Sequence, residues 1–182
     1  MKILAFAATN HKKSINRKLL IYCIKHLKTH ICTDAKVDLI DLINYELELY
    51  RQDREEAFGI PDKAIHFYNK INQSDLLIAA FAEHNGSYTA VYKNLFDWAS
   101  RINQRVYQGK PIIIMSASPG FRGGAGVLST IENTAPYFGL DIKATISVPN
   151  FQDNFDENKM EITNSQTQKQ ILDALNTVIK VS

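Results

Sequence analysis

The sequence predicts a doubly wound α/β domain, with a five-stranded parallel sheet covered by helices on both faces. Three observations carry this. Short apolar runs take turns with segments of helical periodicity along the whole chain. One of the runs, Leu76–Phe81, is apolar on consecutive positions, as in a strand buried on both faces. No internal repeat or low-complexity linker divides the 182 residues, so positions 1–182 are read as a single domain.

Lys2–Ala7 reads as the first strand because it is short, almost wholly apolar and closed by a polar loop. Ser14–Lys28 reads as a helix, with Ile15, Leu19, Leu20, Cys23 and Leu27 on one face and Ser14 as its N-cap. Lys36–Asp41 supplies the second strand. A long polar stretch to Pro61 follows, with turns around Gly59, and Pro61 suits the first turn of a helix through Ile65, Phe67, Tyr68 and Ile71. Leu76–Phe81 is the third strand. Thr89–Ser100 is a helix with a broad apolar surface that includes Trp98. Pro111–Met115 is the fourth strand, a glycine-rich loop leads to a helix near Val127–Phe138, and Ile142–Val148 is the fifth strand. The chain closes with a helix from about Gln166 to Lys180, where Thr163 to Gln166 reads as a capping box.

Hydrophobic residues make up 45% of the chain and charged residues 22%, which is globular composition. The net charge of +2 comes without a Lys/Arg stripe, so nucleic acid is not an expected partner. Cys23 and Cys32 lack metal-ligand spacing and read as reduced structural thiols. The apolar start is too short for a leader and is followed directly by Thr9 to Lys13. No segment is long enough to span a bilayer. The expectation is a soluble, cytoplasmic protein with no membrane partner.

In such a sheet, ligands bind beyond the carboxyl ends of the strands, where strand order reverses. That rule points to three loops. The first, Ala8–Asn16, brings hydroxyls, an amide, an imidazole and two lysines to a helix N-terminus. Backbone N–H groups with Thr9, Ser14 and Asn16 suit a phosphate there. It contains neither Gly-x-Gly-x-x-Gly nor Gly-Lys-Ser/Thr, so it is no dinucleotide fingerprint or NTPase loop. Alone, it fits an N-cap with a solvent loop equally well. The second, Glu83–Tyr88, has Gly86 for a tight turn, Asn85 to meet a polar ring edge, and His84 to lie against a ring or donate to it. The third, Ser116–Gly126, is so rich in glycine that its backbone must approach something or move. Arg122 there suits a phosphate or a plain surface position. Three such loops at one sheet edge point to a ligand site.

The residues resemble the NADPH-dependent FMN reductase family, the flavodoxin-like group of quinone, azo-dye and chromate reductases. The family's Gly-Ser-x-Arg-x-x-Ser-x-Asn stands here as Ala8-Thr9-Asn10-His11-Lys12-Lys13-Ser14-Ile15-Asn16. Its Pro-Glu-Tyr-Asn-Gly-Ser stands as Ala82-Glu83-His84-Asn85-Gly86-Ser87, and its Lys-Asn-x-x-Asp-Trp as Lys93–Trp98. Its Ser-Ala-Ser-Pro-Gly with a following Gly-Gly stands as Ser116–Gly120 and Gly123-Gly124.

The resemblance implies a flavodoxin-like three-layer sandwich of strand order 2-1-3-4-5. It implies FMN as cofactor, with Thr9, His11, Ser14 and Asn16 on the phosphate. Glu83, His84, Asn85 and Gly86 would line the ring, with Ser116 and Ser118 near it. It also implies a homodimer or homotetramer, with the Trp98 helix either at the interface or packed as plain core. Hydride would pass from NADPH or NADH to FMN and then to a quinone, azo compound or similar small acceptor, in ping-pong alternation and without a catalytic side chain. The sequence favours neither nicotinamide. The alternatives are an electron-carrier flavoprotein, which the +2 charge opposes, and an interaction module that has lost flavin. Ala8 in place of glycine and His11 in place of arginine both fall in the phosphate loop. They imply weaker FMN binding that tightens at low pH, since a histidine is largely neutral above pH ~6.5.

Overall fold

The computed structural model describes residues 1–179. Five parallel strands, β1 (Lys2–Ala8), β2 (Lys36–Asp41), β3 (Leu76–Phe81), β4 (Pro111–Ala117) and β5 (Asp141–Val148), pair in the order β2-β1-β3-β4-β5, as expected. Strand alternation assigns the core to two faces. Ile3, Ala5 and Ala7 of β1 join Ile78 and Met115 on one face; Leu4, Phe6 and Ala8 join Leu77, Phe81 and Ile114 on the other. Helix α1 (Ile15–His26) packs on the first face, and Ser14 caps it by accepting from the Asn16 N–H.

Two helices follow β2. Helix α2 (Gln52–Phe58) lies in the stretch read from sequence as turns, and it has no buried residue, so it has no apolar stripe to announce it. Helix α3 (Asp62–Gln73) begins just after Pro61, which stands at the cap position rather than in the first turn. Helices α4 (Ala90–Ser100) and α5 (Ala125–Phe138) complete the second face, around Phe67, Tyr92, Trp98 and Val127.

After β5 the chain forms a short hairpin not expected from sequence, β6 (Phe155–Asp156) with β7 (Glu161–Ile162), and then helix α6 (Ser165–Ile179). Lys18 and Lys25 of α1 pair with Glu157 and Glu161 of this hairpin. Asn164, not Thr163, caps α6 by accepting from the Thr167 N–H at 3.0 Å. Lys180, the expected end of that helix, lies outside the described residues. The strand order reverses between β1 and β3, and their carboxyl ends, Ala8 and Phe81, stand side by side. The fold thereby opens its cleft at the first two loops.

Candidate functional site: the cleft between the first and third strands

A cavity of about 270 Å³ opens at this edge. The first loop contributes Thr9, His11, Lys13, Ser14 and Asn16; Ala82, Glu83 and His84 come from the end of β3; Ala117, Ser118 and Pro119 come from the end of β4. Seven of the ten expected residues thus meet around one space. Asn85 and Gly86 stand just beyond it at the turn's exposed tip, and Ser116 lies below its floor, fully buried.

The first loop is built from its own side chains. The Thr9 N–H donates to Ala7 O at 2.8 Å, and Thr9 Oγ1 accepts from the His11 N–H at 3.2 Å. Asn16 spans the cleft floor: its Nδ2 donates to Ala117 O at 3.0 Å and its Oδ1 accepts from the Ala117 N–H at 2.8 Å. Both ends of that amide are therefore used in fastening α1 to β4. Thr89, which caps α4, also donates to Ala8 O at 2.9 Å. At the start of α1 the first N–H groups have no intrahelical acceptor. Ser14 Oγ satisfies that of Asn16, while those of Ile15 and Arg17 find no acceptor among the described residues. With the His11 and Lys13 side chains exposed beside them, this end of the cavity offers donors and cations only.

The second loop is a two-residue turn. His84 and Ser87 exchange both backbone hydrogen bonds, at 2.9 and 3.1 Å, and Asn85 and Gly86 between them have φ of 52° and 81°. Positive φ at both central positions is the demand of a type I′ turn, which Asn-Gly meets. The Glu83 carboxylate accepts from the Val127 N–H of α5 at 2.8 Å.

Three of the third loop's four glycines, Gly123, Gly124 and Gly126, press on the protein itself, while a Cβ at Gly120 would meet nothing within 4 Å. A Cβ at Gly124 would stand 1.8 Å from Ser116 Oγ; one at Gly123, 2.1 Å from Ser147 Oγ; one at Gly126, 2.8 Å from Glu83 Oε2. The backbone approaches the protein's own side chains. Ser116 Oγ in turn donates to Phe81 O at 2.7 Å and joins the ends of β3 and β4.

A brace on the third loop was not read from the sequence. After β5 the chain turns through Asn150 at φ 46°, and the Asn150 and Phe151 N–H groups donate to Gly120 O and Ser118 O. Asn150 within Val148-Pro149-Asn150, directly after an apolar run, was the available signal. Away from the cleft, Asn94 of α4 holds the extended segment after β2 through Leu47 O, Glu48 O and the Tyr50 N–H, while Trp98 Nε1 donates to Glu48 O at 2.8 Å. Trp98 is fully buried in the protomer.

Residues 1–153 match the family described as NADPH-dependent FMN reductase. A 2-hydroxy-1,4-benzoquinone reductase of a Burkholderia species is 31% identical over 88% of this chain and 82% of its own. An NAD(P)H-dependent FMN reductase of Pseudomonas aeruginosa is 32% identical over 66% of this chain and 64% of its own, just under two thirds. Among solved structures, the Paracoccus denitrificans flavoenzyme FerB, an NAD(P)H:(acceptor) oxidoreductase, aligns over 98% of this chain and 95% of its own with a TM-score of 0.74 at 22% identity, a likeness of fold.

Proposed function

This chain belongs to the NADPH-dependent FMN reductase family and is an oxidoreductase, and we propose that it binds FMN in the cleft between β1 and β3 and uses it to carry electrons from NADPH or NADH to a small acceptor of the quinone or azo class. One observation carries the reading most directly: the α1 end of the cavity presents donors and cations with no carboxylate, which suits a phosphate monoester.

FMN, when bound, accepts a hydride from a nicotinamide and returns electrons to an acceptor. The chain's residues bind and orient. The Ile15 and Arg17 N–H groups, the Thr9 and Ser14 hydroxyls, His11 and Lys13 would hold the phosphate. Asn16 acts from behind, by keeping α1 and β4 at a fixed separation. The Asn85-Gly86 turn and Ser118 would border the ring, and Ser116 and Glu83 shape that border by fixing the third loop. The cavity is at the small end of small-molecule sites, which run from about 300 Å³ upward. Nicotinamide and acceptor would take turns at an open face of the bound ring. Such alternation gives ping-pong kinetics.

The reading extends to a homo-oligomer in the cytoplasm. Leu49, at 72% exposure on the segment pinned by Asn94 and Trp98, and Phe58, at 85% at the end of α2, favour cover by a second copy. Cys23 and Cys32 are both free, as suits a reducing compartment. No helix among the described residues is long and apolar enough to cross a membrane.

Titration with FMN and with riboflavin tests the phosphate end. Two charge-assisted hydrogen bonds, at about 1.5–3 kcal/mol each, make FMN bind at least about 100-fold tighter. Equal affinities would remove the phosphate from the α1 terminus.

A further inference from the structure

The cavity wall carries a group that cofactor binding leaves unused. His84 stands at the end of β3 on the ring side, across from the phosphate loop, with Ser118 and Pro119 beside it. Its backbone is fixed, because both its N–H and its C=O are bonded to Ser87. Its imidazole is exposed and has no hydrogen-bond partner among the described residues. Glu83, the adjacent carboxylate, is committed to the Val127 N–H and does not hold the ring. The basic groups that line the cavity from another element are His11 and Lys13 on the first loop, while Arg122 on the third is exposed and outside the lining. His11 and Lys13 flank the α1 terminus, so His84 is the ring-side group whose side-chain type ordinarily titrates between pH 5 and 8.

We propose that His84 is the general acid of the acceptor half-reaction, delivering a proton to the carbonyl oxygen of a quinone-class acceptor. Reducing a quinone to a hydroquinone takes two electrons and two protons. A hydride from bound, anionic reduced FMN would carry both electrons and one proton, and the His84 imidazolium would deliver the second proton to the oxygen. The products are oxidised FMN, neutral hydroquinone and neutral imidazole, so charge and atoms balance. The exposed imidazole regains its proton from water, and the open turn of Asn85 and Gly86 leaves that route clear. This inference rests on the FMN reductase reading above.

The test uses FMN-loaded protein reduced anaerobically with NADPH and mixed with a benzoquinone, with rates expressed per bound flavin. NMR titration of the His84 ring, assigned by its absence in H84Q, gives the midpoint independently of turnover. The rate should fall about tenfold per pH unit above that same midpoint. In H84Q the fall should disappear, with the rate below the midpoint reduced about 100-fold or more. Added imidazole should restore rate to H84A, and H11Q should keep the alkaline fall. A fall that persists in H84Q, or a kinetic midpoint away from the NMR midpoint, overturns the assignment of His84 alone. Failure of NADPH to reduce the flavin overturns the reductase reading and this proposal together.

Discussion

Replacing Gly124 by alanine should destabilise the protein severely, and the reason can be isolated by one further substitution. Gly124 has φ of +77°, and a Cβ there would stand 1.8 Å from Ser116 Oγ and 2.6 Å from Ser116 Cβ. The left-handed backbone alone costs an alanine about 1–2 kcal/mol. Ser116 cannot rotate aside freely, because it is fully buried and its hydroxyl donates to Phe81 O at 2.7 Å. Breaking that bond leaves buried polar groups unpaired, at about 1–3 kcal/mol. Together these make about 2–5 kcal/mol, which lowers Tm by very roughly 5–15 °C for a chain of this size. Ser116→Gly removes both close atoms and leaves Ser116 Cα at 3.8 Å, an ordinary contact. In that background G124A should therefore cost only the backbone part, about 1–2 kcal/mol. Urea unfolding of the four members of the cycle, without flavin, reads the difference as a coupling energy. An equal cost of G124A in both backgrounds would refute the packing explanation of the third loop's glycines.

Other changes have equally definite outcomes. N16A removes both bonds to Ala117 and should cost about 2–4 kcal/mol in urea unfolding, with FMN affinity falling alongside it. T89A deletes the α4 cap and the tie to Ala8 O, and should cost about 1–2 kcal/mol. H11Q should weaken FMN binding, because the imidazole stands exposed beside the proposed phosphate position; an unchanged affinity in fluorescence titration removes His11 from the site. Burial, with His30 and Lys25 adding positive charge nearby, holds His26 below the ordinary histidine range. The unfolded chain then takes up a proton that the folded chain resists, so this contribution is present above pH ~6.5 and lost as pH falls below it. H26Q should flatten the stability profile between pH 7 and 5.

The central strands were legible because β1, β3 and β4 are apolar over consecutive residues, and β3, buried at all six positions, is the extreme case; the edge strands β2 and β5 alternate polar with apolar residues and are short runs between helices. The ligand edge followed from topology once the strands were placed. What the sequence hid is non-local or unpatterned. Helix α2 has no buried face, and the hairpin strands β6 and β7 are two residues each, too short for a period to show. The site residues were found as a set, but their partners lie far along the chain: Asn16 meets Ala117 and Glu83 meets Val127. Asn16 and a phosphate-binding asparagine look alike in sequence. Likewise, a glycine pressed on Ser116 cannot be told from a glycine pressed on a cofactor until the fold supplies the neighbour.

The central claim is that this cleft holds a flavin that a nicotinamide can reduce. Protein reconstituted with FMN, freed of excess and mixed anaerobically with NADPH or NADH, gives the most direct answer through its absorption spectrum. Prompt bleaching of the bound flavin's visible band, and its return on adding a quinone, is the expected result. Bound flavin left oxidised by both nicotinamides would contradict it, and would favour an electron carrier reduced by another protein.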